Sequence, residues 1–122
     1  MPTILAKLFE IEQADDTIVL VPKADLGEVV IEQIEAEAIE VLKMLEQTSS
    51  KNLVIDFEKT DYFGSAALVL FIKFGSWVRQ RAGHLAFCNL SENEKEILQI
   101  TKLDSLWHIC SSKSEAMESL RK

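Results

Sequence analysis

Thr60-Asp61-Tyr62-Phe63-Gly64-Ser65-Ala66-Ala67-Leu68 joins two segments of opposite character. Behind it, Leu53-Val54-Ile55-Asp56-Phe57 is a short apolar run rich in β-branched residues, which predicts a buried strand. Ahead of it, from Ala66 to Arg81, apolar residues recur at helical spacing. The stretch therefore reads as the loop between a strand and a long helix. Gly64 permits a tight approach there, and Ser65 stands where a helix cap is expected. In open α/β sheets, sites lie at the edge where strands end and helices begin. A small hydroxyl at that edge, Ser65, is the main chemical feature of the chain.

Upstream, Leu8-Phe9-Glu10-Ile11-Glu12 alternates apolar and polar residues, and Thr17-Ile18-Val19-Leu20-Val21 is more uniformly apolar. With Asp15-Asp16 between them as the turn, they predict an antiparallel ribbon ended by Pro22. Lys23–Gly27 reads as a loop. From Glu28 to Gln47 the period becomes helical, with Ile31, Ile34, Ala38, Val41, Leu42 and Leu45 on one stripe and Glu32, Glu35, Glu37 and Glu40 elsewhere. That acidic side reads as a solvated outer face.

Downstream, the helix after the loop is apolar on every side through Ala66–Ile72 and ends at Gly83. Ala67, Leu70, Phe71, Phe74 and Val78 are assigned to the sheet side. Ser65, Val69, Ile72 and Trp77 are left toward the rim, an apolar strip suited to a partner. His84–Cys88 predicts a fourth strand. Ser91-Glu92-Asn93-Glu94 fits a capping box opening a helix that carries Ile97, Leu98 and Ile100. Leu106–Ile109 predicts a fifth strand. A last helix starts at Ser112 or Ser114, with Ala116, Met117 and Leu120 inward. Strands and helices alternate, which implies an α/β fold with a mixed, mostly parallel sheet, right-handed crossovers and about four helices. Val54, Ile55, Ile39, Leu70, Phe71 and Phe87 are expected in its core.

The 122 residues suffice for one domain, 1–122, that buries about two thirds of its unfolded surface. A net charge of −7 argues against a nucleic-acid partner, whose phosphates it would repel. Glu10 and Glu12 interrupt the run from Ile4 to Phe9, and Lys73 breaks the apolar stretch around Ala66–Phe74. No leader or membrane span is therefore expected, and a cytoplasmic protein is. Cys88 and Cys110 lack CxxC spacing and read as small core residues. Neither GxGxxG nor GxxxxGK[ST] occurs, so no nucleotide cradle is expected. His84 and His108 have no nucleophile at motif spacing. Asp56 and Asp61 flank the loop without a third acidic ligand, so capping and solvation are expected there rather than a metal or acid–base pair. No cofactor, metal or enzymatic activity is anticipated.

The block from Asn52 to Leu68 resembles the STAS domain family of bacterial anti-sigma factor antagonists. That family shows an apolar strand ending in Asp or Asn. An aromatic–apolar–Asp–Ser–Ser/Thr–Gly–Leu loop follows, here Tyr62-Phe63-Gly64-Ser65-Ala66-Ala67-Leu68. Arg81-Ala82-Gly83-His84-Leu85, Leu90-Ser91 and Thr101-Lys102-Leu103-Asp104-Ser105-Leu106-Trp107 extend the resemblance, with Lys23-Ala24-Asp25-Leu26 a weaker echo. The resemblance implies a SpoIIAA-like fold with an N-terminal antiparallel strand. It also implies partner switching, in which the antagonist binds an anti-sigma factor that is a GHKL-type serine kinase. Phosphorylation of the loop serine breaks that complex, and a phosphatase restores it. The implied partner surface is Asp61, Tyr62, Phe63, Gly64, Ser65, Ala66, Val69, Ile72 and Trp77. Three loop positions depart from the pattern. Gly64 stands for the Asp, Ala66 for the usual phospho-acceptor and Ala67 for the following Gly, so only Ser65 remains as a hydroxyl. A phospho-silent scaffold or a small-ligand-sensing module would use the same edge.

Overall fold

In the computed structural model, which describes residues 4–5, 9–23 and 31–120, a six-stranded sheet runs in sequence order. Strands β1 (Ile4–Leu5), β2 (Phe9–Ala14) and β3 (Thr17–Pro22) pair antiparallel. From β3 onward, β4 (Asn52–Asp56), β5 (Leu85–Cys88) and β6 (His108–Cys110) pair parallel. Crossovers carry α1 (Ile31–Glu46), α2 (Ser65–Gln80) and α3 (Glu92–Ile100), and α4 (Lys113–Ser119) follows the last strand. The alternation expected from sequence is thus present, with β1 as an added edge strand. The expected loop after Lys23, the helix start at Glu28 and the echo at Ala24-Asp25-Leu26 lie outside the described residues.

Side-chain alternation divides the sheet into two buried faces. Ile18, Leu20, Leu53, Ile55, Leu85 and Phe87 face the larger core, with Ala38, Val41 and Leu45 of α1, Leu70 and Phe74 of α2, and Leu98 of α3. Val19, Val21, Val54, Ala86, Cys88 and Cys110 face the other way, onto Ala116 and Leu120 of α4. Three crossovers of one hand, made in one direction along the sheet, put α1–α3 on a single side. The short α4 covers the reverse. Among the described residues, no helix is long and apolar enough to cross a membrane.

Ile39, expected in the core, is 53% exposed. It lies about 100° around α1 from Ala38, off the Ala38–Val41–Leu45 stripe. The strand expected from Leu106 is β6, and it starts at His108. Thr101 closes α3 by donating its hydroxyl to the Ile97 carbonyl at 2.8 Å, and Lys102 turns left-handed at φ 62°. Leu103–Ser105 then forms one 3-10 turn, which leaves Leu106 exposed. Close packing also explains two glycines. A Cβ on Gly83 would lie 1.8 Å from the Lys51 carbonyl oxygen, and one on Gly75 would lie 2.9 Å from Nε1 of Trp107.

Candidate functional site

The loop between β4 and α2 is built from its two ends inward. At the first end, Asp56 is buried, and its Oδ1 accepts from the Glu58 backbone N–H (3.0 Å) and from Nδ2 of Asn89 (2.9 Å). The Phe57 N–H donates to the Cys88 carbonyl (3.0 Å), so the chain leaves the sheet one residue beyond its last pair. Phe57 and Phe63 are then both buried, with ring centroids 5.4 Å apart. Phe71 of α2 meets Phe57 at 5.6 Å and Phe63 at 5.1 Å, each edge-on. Phe87 of β5 closes the cluster and stacks on Trp107 at 4.9 Å. Such offset and edge contacts are the favoured aromatic geometries, and they anchor the loop at both ends.

Between the anchors, polar groups tie the loop to the start of α3. The Thr60 hydroxyl donates to Oε2 of Glu94 (2.8 Å), and the Ser91 hydroxyl donates to the Asp61 carbonyl (2.7 Å). Ser91 and Glu94 also form the reciprocal capping box expected from their spacing. Ser91 Oγ accepts from the Glu94 N–H (3.1 Å), and Glu94 Oε1 accepts from the Ser91 N–H (2.9 Å). Glu94 is completely buried. The loop role of Thr60, Ser91 and Glu94 was not legible in the sequence, because the partners lie 30 and 34 residues apart. The capping spacing announced only a helix start.

The expected surface divides. The N-cap of α2 falls on Gly64, with φ −100° and ψ −173° and no side-chain cap. Its carbonyl accepts from the amides of Ala67 (3.1 Å) and Leu68 (3.3 Å). Ser65 is therefore the first helical residue rather than the cap, and the side chains of Ser65 and Ala66 lie outside the described residues. Asp61 and Tyr62 are exposed, as are Val69 (56%) and Ile72 (50%). Phe63 and Trp77 leave this surface, because both are buried. Trp77 stands seven residues from Leu70, about 20° away around the helix, and so shares its inward stripe. The Arg81 guanidinium lies over its ring at 4.1 Å. Ala67, Leu70, Phe71, Phe74 and Val78 pack inward as assigned.

No group of three or more His, Cys, Asp or Glu suited to a metal occurs among the described residues. Beside the loop lies an open hollow, lined by Tyr62, Asn93, Glu96, Ile97 and Ile100. A cleft of about 370 Å³, lined in part by Arg79, His84, Trp107 and His108, lies toward the opposite edge of the sheet. There His84 and His108 meet edge to face at 5.5 Å. The edge presents exposed Tyr62, Val69 and Ile72, a loop tied to Ser91 and Glu94, and the N-terminus of α2.

Comparison with known proteins agrees with this architecture. The family model for the STAS domain matches residues 9–116. The chain is 29% identical over 91 residues to a Bordetella bronchiseptica protein named as an anti-sigma factor antagonist, BtrV, covering 74% of each. An anti-sigma factor antagonist structure from Thermotoga maritima superposes with a TM-score of 0.83 at 21% identity, covering 95% of this chain and 97% of that one. The anti-sigma factor antagonist SpoIIAA in its unphosphorylated form superposes with a TM-score of 0.78 at 18% identity, over 93% and 96%.

Proposed function

The chain belongs to the STAS domain family, and from that premise we propose that it is a non-enzymatic antagonist that binds an anti-sigma factor through the β4–α2 edge. Its partner in this reading is a GHKL-type serine kinase in a partner-switching system, with a phosphatase as the opposing activity. The observation that carries the reading is the exposure of Val69 (56%) and Ile72 (50%) on the helix that follows the loop. An isolated chain gains nothing by holding these side chains in water, whereas a partner burying them removes apolar surface at about 25 cal/mol per Å².

Ser65 is the switch residue in this reading. At the first position of α2, a phosphate would meet the backbone N–H groups and the positive end of the helix dipole, so the fold tolerates it. The same phosphate brings about −1.5 to −2 charges into an apolar contact. A second reading rests on Ala66 standing at the family's usual acceptor position. It makes the chain a phospho-silent binder. Incubation with the kinase and ATP, followed by mass spectrometry, separates the two: phosphate on Ser65 supports the switch, and an unmodified chain supports the silent module.

The surface itself is tested by titration against the GHKL-type anti-sigma factor of the same genome that binds the wild-type chain. Val69→Asp and Ser65→Asp each weaken the complex at least tenfold, about 1.4 kcal/mol, while leaving Tm close to wild type. Wild-type affinity in both variants would remove the β4–α2 edge as the interface.

A further inference from the structure

The loop that precedes the proposed contact is held by groups with no place in the contact itself. Thr60 is 8% exposed and Glu94 fully buried, so neither side chain presents itself to a partner. Yet the Glu94 carboxylate divides its two oxygens, Oε1 to the Ser91 amide that starts α3 and Oε2 to the Thr60 hydroxyl in the loop. Ser91 repeats the arrangement. Its hydroxyl accepts from the Glu94 amide and donates to the Asp61 carbonyl. Two residues that suffice to cap a helix thus each carry one further bond, and both bonds run to the same two-residue stretch of loop.

A helix cap does not require this arrangement. The reciprocal Ser–Glu pair is complete without Thr60 or Asp61. The extra bonds fix Thr60 and Asp61, the residues just before exposed Tyr62, at the point where the chain leaves the aromatic cluster. We infer that Glu94, with Thr60 and Ser91, is a positioning element. It holds the Thr60–Tyr62 segment and the start of α2 in the binding conformation, and the affinity of the β4–α2 edge depends on that preorganisation. The inference rests on the proposed use of this edge. Its physical basis is that a loop ordered before binding does not lose that freedom on association. Carboxylate chemistry suits the role, because Glu offers an acceptor oxygen to each of two donors.

The test uses the full chain with Thr60→Val, which removes the hydroxyl at nearly constant shape, and Thr60→Ser, which restores it. Amide hydrogen exchange is read without any partner, and affinity is read against the anti-sigma factor defined above. Thr60→Val is expected to accelerate exchange of the loop amide of residue 60, which donates to the Phe57 carbonyl, at least tenfold while β4 and β5 keep their protection. It should also weaken the complex about tenfold, and Thr60→Ser should stay within about twofold of wild type in both readouts. Unchanged loop exchange in Thr60→Val overturns the latch. Accelerated exchange with undiminished affinity, in a system where Val69→Asp does weaken binding, overturns its positioning role. Wild-type affinity in Val69→Asp instead removes the surface, and the exchange data then decide alone whether the loop is latched.

Discussion

At the residue scale, Cys88 shows how burial and a neighbouring charge act together. It is completely buried on β5 opposite Cys110 of β6, and both thiols are free. Burial first, then the Asp56 charge, Cys110 and a hydrogen bond to the Asp56 carboxylate push its pKa from 9.0 up to about 12. Each of these causes disfavours the thiolate. Below pH 9 the folded and unfolded chains both carry the thiol, so the stabilisation is fully present. Above pH 9 the unfolded thiol ionises while the folded one keeps its proton. Stability should then fall with a contribution of up to about 1.4 kcal/mol per pH unit until the folded thiol titrates. Denaturant titrations at pH 8, 9 and 10 on wild type and Cys88→Ala measure this. A pH slope unchanged by the substitution would show that the thiol does not carry it. Asp56, for which the sequence predicts a capping role, accepts from the Glu58 amide and from Asn89, which sits at φ 57°.

At the element scale, α2 carries most of the reading. Its first two turns are apolar on every side, and the helical period alone assigns Val69 and Ile72 to the rim. The structure leaves Val69 and Ile72 in water and buries Leu70 and Phe71. The helix is therefore two-sided despite its uniform composition. Leu70→Ala should cost ~2–5 kcal/mol in equilibrium unfolding, because Leu70 is 2% exposed within the larger core. Ile72→Ala, half exposed, should stay within about 1 kcal/mol of wild type. Equal losses in the two would mean that the helix is rotated from the phase described. Inward Ala67, Leu70, Phe71, Phe74 and Val78 were legible from the 3.6-residue period. Trp77 was not: it lies about 20° from Leu70 around the helix and is buried with it.

At the scale of the whole molecule, one sheet is shared by two cores of unequal size. Leu53 and Ile55 serve the α1–α3 side, while Val54 between them serves the α4 side. Neither core can lose β4 without exposing the other, so the chain should unfold in one cooperative step. Trp77 and Trp107 report the larger core, and Cys88 and Cys110 report the face under α4. Tryptophan fluorescence and thiol labelling should therefore give the same denaturant midpoint. Labelling at clearly lower denaturant would show that α4 detaches as a separate unit. Surface charge adds little to this account. Lys59–Glu10 at 2.8 Å and Lys113–Glu12 at 3.0 Å are partly exposed pairs, whose attraction water and salt screen.

The sequence by itself determined the succession of elements, the mixed sheet, the capping box at Ser91 and the inward stripe of α2. These are written in local periods of two and 3.6 residues and in short-range cap chemistry. The family resemblance followed from local patterns too, most strongly those of Asn52–Leu68. Only the tertiary structure decided that Phe63 is an anchor rather than a contact, and that Gly64 precedes the helix where Ser65 was expected to cap it. It alone decided that Glu94, a helix-start residue by its spacing, also holds the loop. Phe63 is buried against Phe57 and Phe71 once the loop folds back on the sheet, and Glu94 meets Thr60 across 34 residues of chain. No local pattern encodes a contact that exists only once β4, α2 and α3 have packed together.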